Sequence, residues 1–368
     1  MLMVIFGAGA SYDSSPDFPP SQPQAVQKNF GPRPASPDPR EFWRPPLATQ
    51  LFLDTNGAFG EIVANPNYRK LLPILPRLRQ PVAGSVEQEM EVLLTEANAQ
   101  VSGDPERKRQ LFAVRYYLHD LLQRVTNKWL RHTSGVTNYV TLLDQIRHAN
   151  KADEPVCLVT FNYDLLLDRA LLSFDYKTTD PENESLAHPI FKLLKPHGSV
   201  DWARFVDVAP TTRLGIEQVI ERANSINLTK EYLRTDASDP RQMFAFDRPI
   251  VPAIAVPVQT KTEDTFEWPQ SQRATLEGYL PSITRILIIG WQAKEAHFLE
   301  MLRDKLPRAG RQVTQILVVG KDADDSKAIL HRFAAELGQS GYNTNHRYTD
   351  GGFSRFVANR EGEAFFRA

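Results

Sequence analysis

Four short apolar runs constrain what this chain can fold into. Leu2-Met3-Val4-Ile5-Phe6 stops at Gly7-Ala8-Gly9-Ala10-Ser11, and Val156-Cys157-Leu158-Val159 runs into Thr160-Phe161-Asn162-Tyr163-Asp164. Ile286-Leu287-Ile288-Ile289 stops at Gly290, and Ile316-Leu317-Val318-Val319 at Gly320. None alternates apolar with polar residues, so each predicts a strand buried on both faces, as in the middle of a parallel sheet. Helical stretches separate them, Leu165 to Leu172 among them. Strands and helices alternating in this way predict an α/β fold, a Rossmann-like doubly wound parallel sheet with ligands at the carboxyl ends of its strands. Ile190 to Leu194 is a weaker strand candidate that ends at Lys195-Pro196-His197-Gly198-Ser199.

A length of 368 residues exceeds one minimal module, since domains usually run to ~100–200 residues. From about Leu47 to Asn150 the periodicity is helical: Val86, Met90, Leu93, Leu94 and Ala97 share one face, as do Leu111, Val114, Leu118, Leu121, Val125 and Trp129. Residues 45–150 are therefore expected to be a helical insertion, and 1–44 with 151–368 the sheet domain. Ten of the 27 prolines lie between Pro16 and Pro46, which excludes regular structure and predicts a long loop beside the first glycine turn, where a lid would sit. Residues 203–248 carry no clear pattern beyond a helix near Ile216 to Ile226.

With 43 Lys plus Arg against 44 Asp plus Glu, the formal charge is -1 at pH 7, so no global attraction draws the chain to nucleic acid or anionic lipid. The single cysteine, Cys157, lies inside an apolar run and cannot form an internal disulfide or a thiolate cage. No His, Asp or Glu grouping has metal-ligand spacing, and no metal is expected. The apolar start lacks a basic leading segment and is too short for a secretory signal, and the stretch Pro249 to Val258 is far too short for a membrane span. The expected compartment is the cytoplasm.

Three polar groups fall where strands end. Gly7 and Gly9 offer a turn whose amides can approach a phosphate, or simply a tight turn. The third glycine of a dinucleotide fingerprint would fall at Tyr12, which disfavours a hydride-transferring enzyme. Asn162 and Asp164 project from the turn after the second strand; Asp164 fits either capping of the next helix or contact with a ligand. His197, between Pro196 and Gly198, is a loop histidine able to take a proton near neutral pH. His119, His132 and His148 sit in helical stretches as packing or surface residues.

Together these motifs resemble the sirtuin superfamily, and in particular the sirtuin-like domains of prokaryotic antiviral defence systems. Gly7-Ala8-Gly9-Ala10-Ser11 looks like the family's phosphate-binding turn, and Pro16-Asp17-Phe18 like the motif that follows it. Asn162-Tyr163-Asp164 resembles its Asn-x-Asp motif at the nicotinamide end of the pocket, and His197-Gly198 its catalytic His-Gly. Gly290-Trp291 stands where the family has a late glycine turn near the adenosine ribose. One cysteine instead of four, Phe161 in place of glutamine and Pro19 in place of arginine depart from the protein-deacylating members. The resemblance to defence-type members implies NAD+ hydrolysis, with Asn162 and His197 catalytic and with Gly7, Ala8, Gly9, Ser11, Asp164, Gly290 and Trp291 contacting NAD+.

The small residue set suits that chemistry. Nicotinamide leaves NAD+ from a cationic ring, so departure needs no general acid and no carboxylate pair of the glycosidase kind. The alternatives are transfer of ADP-ribose to a macromolecule, or a binding module without turnover. An unrestrained NAD+ hydrolase would poison its cell, and no sensor domain is expected between the last strand and Ala368. Control is therefore expected from homo-oligomerisation or a separately encoded partner, for which the resemblance suggests a HerA-like ATPase or a short Argonaute. Arg107, Arg109, Arg115 and Arg124 are either such an interface or solvated helix surface.

Overall fold

A computed structural model of the chain describes residues 1–20, 40–54, 60, 63–98, 104–150, 154–209, 212–235, 248–258, 266–306, 313–338 and 345–367. Its strands are β1 (Leu2–Phe6), β2 (Val156–Thr160), β3 (Phe191–Leu194), β4 (Gly198–Val206), β5 (Leu228–Arg234), β6 (Ile250–Ile254), β7 (Arg285–Ile289), β8 (Gln315–Val319) and β9 (Asn345–Thr349). Six of these form one parallel sheet in the order β3-β2-β1-β7-β8-β9. The chain winds outward from β1 to β3, crosses back to the other side of β1 at β7, and winds outward again to β9. This is the Rossmann-like, doubly wound α/β fold read from the apolar runs, and its topological switch point lies between β1 and β7.

Strand pleating sorts the central side chains into two cores. Val4, Phe6, Leu158, Leu287, Ile289, Leu317 and Val319 face helices Asn138–Ala149, Leu166–Leu171 and Gly352–Ala358. Met3, Ile5, Cys157, Val159, Ile286, Ile288, Ile316 and Val318 face helices Ala296–Lys305 and Ala323–Glu336. Burial on both faces is why these runs show no polar alternation; β9, at the edge, is mostly exposed.

The other three strands form an antiparallel sheet, β5-β4-β6, that starts directly at the end of β3. Pro252 lies in β6 opposite Ala203, an edge position where a missing amide is tolerated. This sheet packs with the helices Val86–Asn98 and Pro105–His132 around a third core. Asp104 starts the longer helix by accepting from Glu106 N at 2.9 Å, ahead of Pro105 at the first helical position. Arg107 of that helix pairs with Glu96 at 2.5 Å, Arg109 with Glu106 at 3.0 Å and with Glu221 at 3.4 Å, and Arg115 with Glu267. These three arginines join the helix to its neighbours within the chain. Helix Asn138–Ala149, read from the sequence with the insertion, packs Tyr139, Leu142, Leu143 and Ile146 into the main-sheet core.

The proline-rich segment expected as a lid falls largely at 21–39, outside the described residues. Beyond it, Arg44 donates to Tyr12 O at 2.8 Å and Phe18 O at 3.1 Å, tying the chain back to the first turn. Within 203–248, the expected helix is Ile216–Glu221, and β5 follows without a clear apolar pattern because its residues are half-buried or exposed. Among the described residues no helix is long and apolar enough to cross a membrane.

One backbone crossing at the switch point is tight enough to test. Gly290 has φ 60°, and a Cβ there would stand 2.3 Å from Ala10 N and 2.5 Å from Gly9 C. Gly290→Ala should therefore cost about 2–3 kcal/mol, from left-handed strain plus overpacking. Gly278, in helix Gln270–Tyr279, has nothing within 4 Å of its Cβ position, so Gly278→Ala should stabilise by about 0.5–1 kcal/mol. Urea midpoints of the two variants moving in opposite directions are the expected result; equal midpoints would show the crossing to be slack.

Candidate functional site

The turns after β1, β2 and β3 meet at the carboxyl edge of the sheet. Asn162 Nδ2 donates to Gly7 O at 2.9 Å and to Ser11 Oγ at 2.9 Å, and lies 3.3 Å from Tyr139 Oη. A carbonyl oxygen only accepts, so the contact with Gly7 O settles which end of the amide is nitrogen. The amide nitrogen is consumed by the protein, and Oδ1 is the end available to a ligand.

Ser11 joins this arrangement from inside. Its hydroxyl takes the Asn162 N–H and stands 3.0 Å from Tyr139 Oη. Asp164 Oδ1 also accepts from Leu166 N at 3.0 Å, so of its two expected roles the geometry has the capping one. Burial pushes the Asp164 carboxyl above its ordinary value, opposed by the bonds from Ser11 and Leu166 N and by the Lys195 charge. Ser11 thus bonds the Asn162 amide, and Asp164 caps the next helix.

His197 is held on the same turn. Its Nδ1 lies 3.1 Å from Phe161 O, so Nδ1 carries the proton and in the neutral ring Nε2 holds the lone pair. The imidazole is buried, edge-on to Phe161 at 4.8 Å and stacked with Tyr163 at 5.9 Å. Gly198, at φ 79° with its Cβ position 1.9 Å from Ala253 O, lets the chain turn at once into β4. The glycine after the histidine is thus required by the backbone.

The glycine turn differs from its expected use. Gly7 N donates to Ile289 O, Gly9 N to Gly290 O and Ala10 N to Gly7 O, at 3.0, 3.0 and 2.9 Å. The first two amides are spent on the crossing between β1 and β7, and the third closes the turn itself; the helix that follows, Ala8–Tyr12, has only five residues. Ala8, Gly9 and Gly290 remain half-exposed. Trp291, expected to contact NAD+, has its ring buried, stacked on Phe161 at 5.1 Å and 9°, with Nε1 donating to Glu295 Oε2 at 2.5 Å. Phe161 therefore touches both rings, the imidazole at 4.8 Å and the indole at 5.1 Å.

Behind His197 lies a charge cluster that the sequence did not disclose. Lys195 Nζ, fully buried, reaches Asp168 at 2.9 Å, Ser199 Oγ at 2.7 Å and Asp164 O at 3.4 Å. Ser199 donates to Asp201 at 2.5 Å, Asp201 pairs with Arg234, and Arg234 reaches Glu184 Oε1 at 2.6 Å. The partners come from three distant stretches, so no local spacing could announce them. Cys157 is buried and its thiol is pushed up by burial, which leaves it inert. Among the described residues no His, Cys, Asp and Glu side chains group as a metal cage.

Fold and site define a doubly wound α/β protein with an amide and an imidazole held by main-chain carbonyls at the carboxyl edge of its sheet. Scans against protein-family models and against curated proteins return no match. Among solved structures, a sirtuin structure described as "The Structural basis of Sirtuin Substrate Affinity" matches over 98% of this chain and 94% of that chain, at 15% identity and a TM-score of 0.31. At that overlap the likeness carries no argument, and the fold class rests on the strand order.

The charge cluster gives a pH test. Burial raises the Glu184 carboxyl from its ordinary 4.5 to about 7; Arg234 and Lys195 oppose the rise, and Asp168 and Asp201 add to it. The folded chain binds this proton more tightly than the unfolded one, so the stability it contributes is whole below 4.5 and is lost as pH climbs through about 7. In Glu184→Gln that loss should vanish. Urea unfolding at about pH 5 and about pH 8 is expected to show a smaller drop for the variant than for the parent; identical drops would assign the slope to other groups.

Proposed function

We propose that this chain is an NAD+ hydrolase, cleaving NAD+ to nicotinamide and ADP-ribose, and that it serves as the effector of an antiviral defence system. The observation that carries the reading is the convergence of three stretches far apart in sequence: Asn162 grips Gly7 O, and His197 hangs on Phe161 O, the carbonyl just before Asn162. The motif resemblance supplies the substrate, and the site supplies the chemistry.

In this reading the pyrophosphate lies across Ala8 and Gly9, which present nothing larger than a methyl group. Asn162 Oδ1 accepts from the attacking water or from a ribose hydroxyl and so orients it. The bond between ribose C1′ and the pyridinium nitrogen breaks, and its electron pair returns to the ring, which leaves as neutral nicotinamide. Water oxygen joins C1′, and His197 Nε2 takes the proton and passes it to solvent. The Phe161 and Trp291 rings exclude other water from the imidazole's flank. The defence role, and restraint by self-association or a separately encoded partner, rest on the resemblance.

His197→Ala should lower nicotinamide release about 10²–10⁴-fold, the range for removing a general base, and Asn162→Ala should also lower it severely. Chromatography of NAD+ incubations, with thermal unfolding to confirm the fold, provides the check. Either variant folding normally and releasing nicotinamide at the parent's rate would defeat the assignment, and labelled ADP-ribose found on a macromolecule would convert it to a transferase.

A further inference from the structure

Tyr139 is the residue of this site that no motif announces. It comes from helix Asn138–Ala149, about as far along the chain from Ser11 as the insertion allows, yet its hydroxyl stands 3.0 Å from Ser11 Oγ and 3.3 Å from Asn162 Nδ2. We infer that Tyr139 is a positioning residue that acts through Ser11 to hold the Asn162 amide with Oδ1 toward the substrate. The inference rests on the reading of Asn162 as the group that orients water or ribose.

Donor and acceptor accounting places the amide protons. Asn162 Nδ2 carries two hydrogens, which Gly7 O and Ser11 Oγ receive at 2.9 Å each, and Tyr139 Oη stands 3.3 Å from the same nitrogen. Ser11 Oγ, which receives one of these hydrogens, stands 3.0 Å from Tyr139 Oη, a hydroxyl pair in which either can donate. The run is therefore Tyr139 to Ser11 to the Asn162 amide, closed by the 3.3 Å approach of Tyr139 Oη to the amide nitrogen. Burial, with the Asp164 charge adding to it, holds the Tyr139 phenol well above its ordinary value, so the hydroxyl remains a donor.

The phenol has little room to move. Its ring packs against Phe6 at 5.3 Å and Phe353 at 5.4 Å. The start of its helix is pinned by the preceding residue: Asn138 N donates to Ser14 O at 2.7 Å, and Asn138 Nδ2 to Asp13 O and Ser354 Oγ at 2.8 Å each. Ser354 N in turn donates to Asp13 Oδ2 at 3.0 Å. A hydroxyl held this firmly restricts the rotation of Ser11 and, through it, the tilt of the amide. A tyrosine kept only for packing would serve equally well as phenylalanine.

Tyr139→Phe keeps the ring and removes the oxygen. Steady-state NAD+ cleavage by the full chain is expected to show kcat down about three- to tenfold, as for one buried hydrogen bond, with KM within about twofold. In an Asn162→Ala background the same change should leave the residual rate unaltered, because the group it positions is gone. Ser11→Ala, which removes the middle of the run without touching the ring, should give the same split between kcat and KM. Crystal structures of parent and Tyr139→Phe supply a readout free of turnover: the Asn162 amide should leave Gly7 O or occupy a second orientation. A cleaving parent whose Tyr139→Phe variant keeps full kcat, a loss that persists without Asn162, or an amide unmoved in the crystal each overturns the inference. A parent that releases no nicotinamide counts instead against NAD+ hydrolysis, and the crystal comparison still decides the role of Tyr139.

Discussion

Gly7 and Gly9 pass so close to Gly290 and Trp291 that no side chain fits between them: a Cβ on Gly7 would lie 2.5 Å from Trp291 Cα, and one on Gly9 2.8 Å from Gly290 Cα. This contact closes the switch point of the sheet, where the two halves of a doubly wound fold separate and usually leave a crevice. Because Gly7 N and Gly9 N bond to the carbonyls of Ile289 and Gly290, the turn after β1 has one possible height above the sheet. Asn162 then takes its position from Gly7 O, and His197 takes its own from the carbonyl before Asn162. The site is assembled from the backbone outward, with each polar side chain hung on a main-chain carbonyl.

Rigid elements carry the two central side chains, and buried polar groups support them. A buried ion pair contributes little net stability, yet removing one partner leaves an uncompensated charge and is costly. Lys195, two residues before the imidazole, is held by Asp168 and Ser199, so the loop bearing His197 cannot shift without exposing or stranding that ammonium. On the other side, Tyr139 and Ser11 hold the amide. The aromatic wall of Phe161, Trp291 and Phe298 completes the enclosure with edge and stacked contacts of 5.0–5.8 Å.

Where reading the chain residue by residue reached its limit, the reason lies in the interaction involved. The four apolar runs were legible because burial on both faces removes every polar residue from a strand, and that pattern is local. β5 was not, because its side chains are half-buried or exposed and carry no period. Tyr139 falls with Leu142, Leu143 and Ile146 on one helical face and reads as core, which its ring is; only its oxygen belongs to the site. Ser11 and Asp164 were legible as polar groups at strand ends, but whether such a group turns toward a ligand or inward depends on partners up to 155 residues away, as with Asn162 and Gly7.

By itself, then, the order of residues determined the class of fold and the strand ends at which a candidate amide and imidazole stand, since hydrophobic period and turn chemistry act over a few neighbouring positions. Only the tertiary structure decided which end of the Asn162 amide faces outward, that the amides of the glycine turn are engaged with β7, that Trp291 packs on Phe161, and that Lys195 sits in a buried charge cluster. Hydrogen bonds and ion pairs are settled by distances of a few ångströms between elements, and those distances exist only once the sheet has brought its strand ends together.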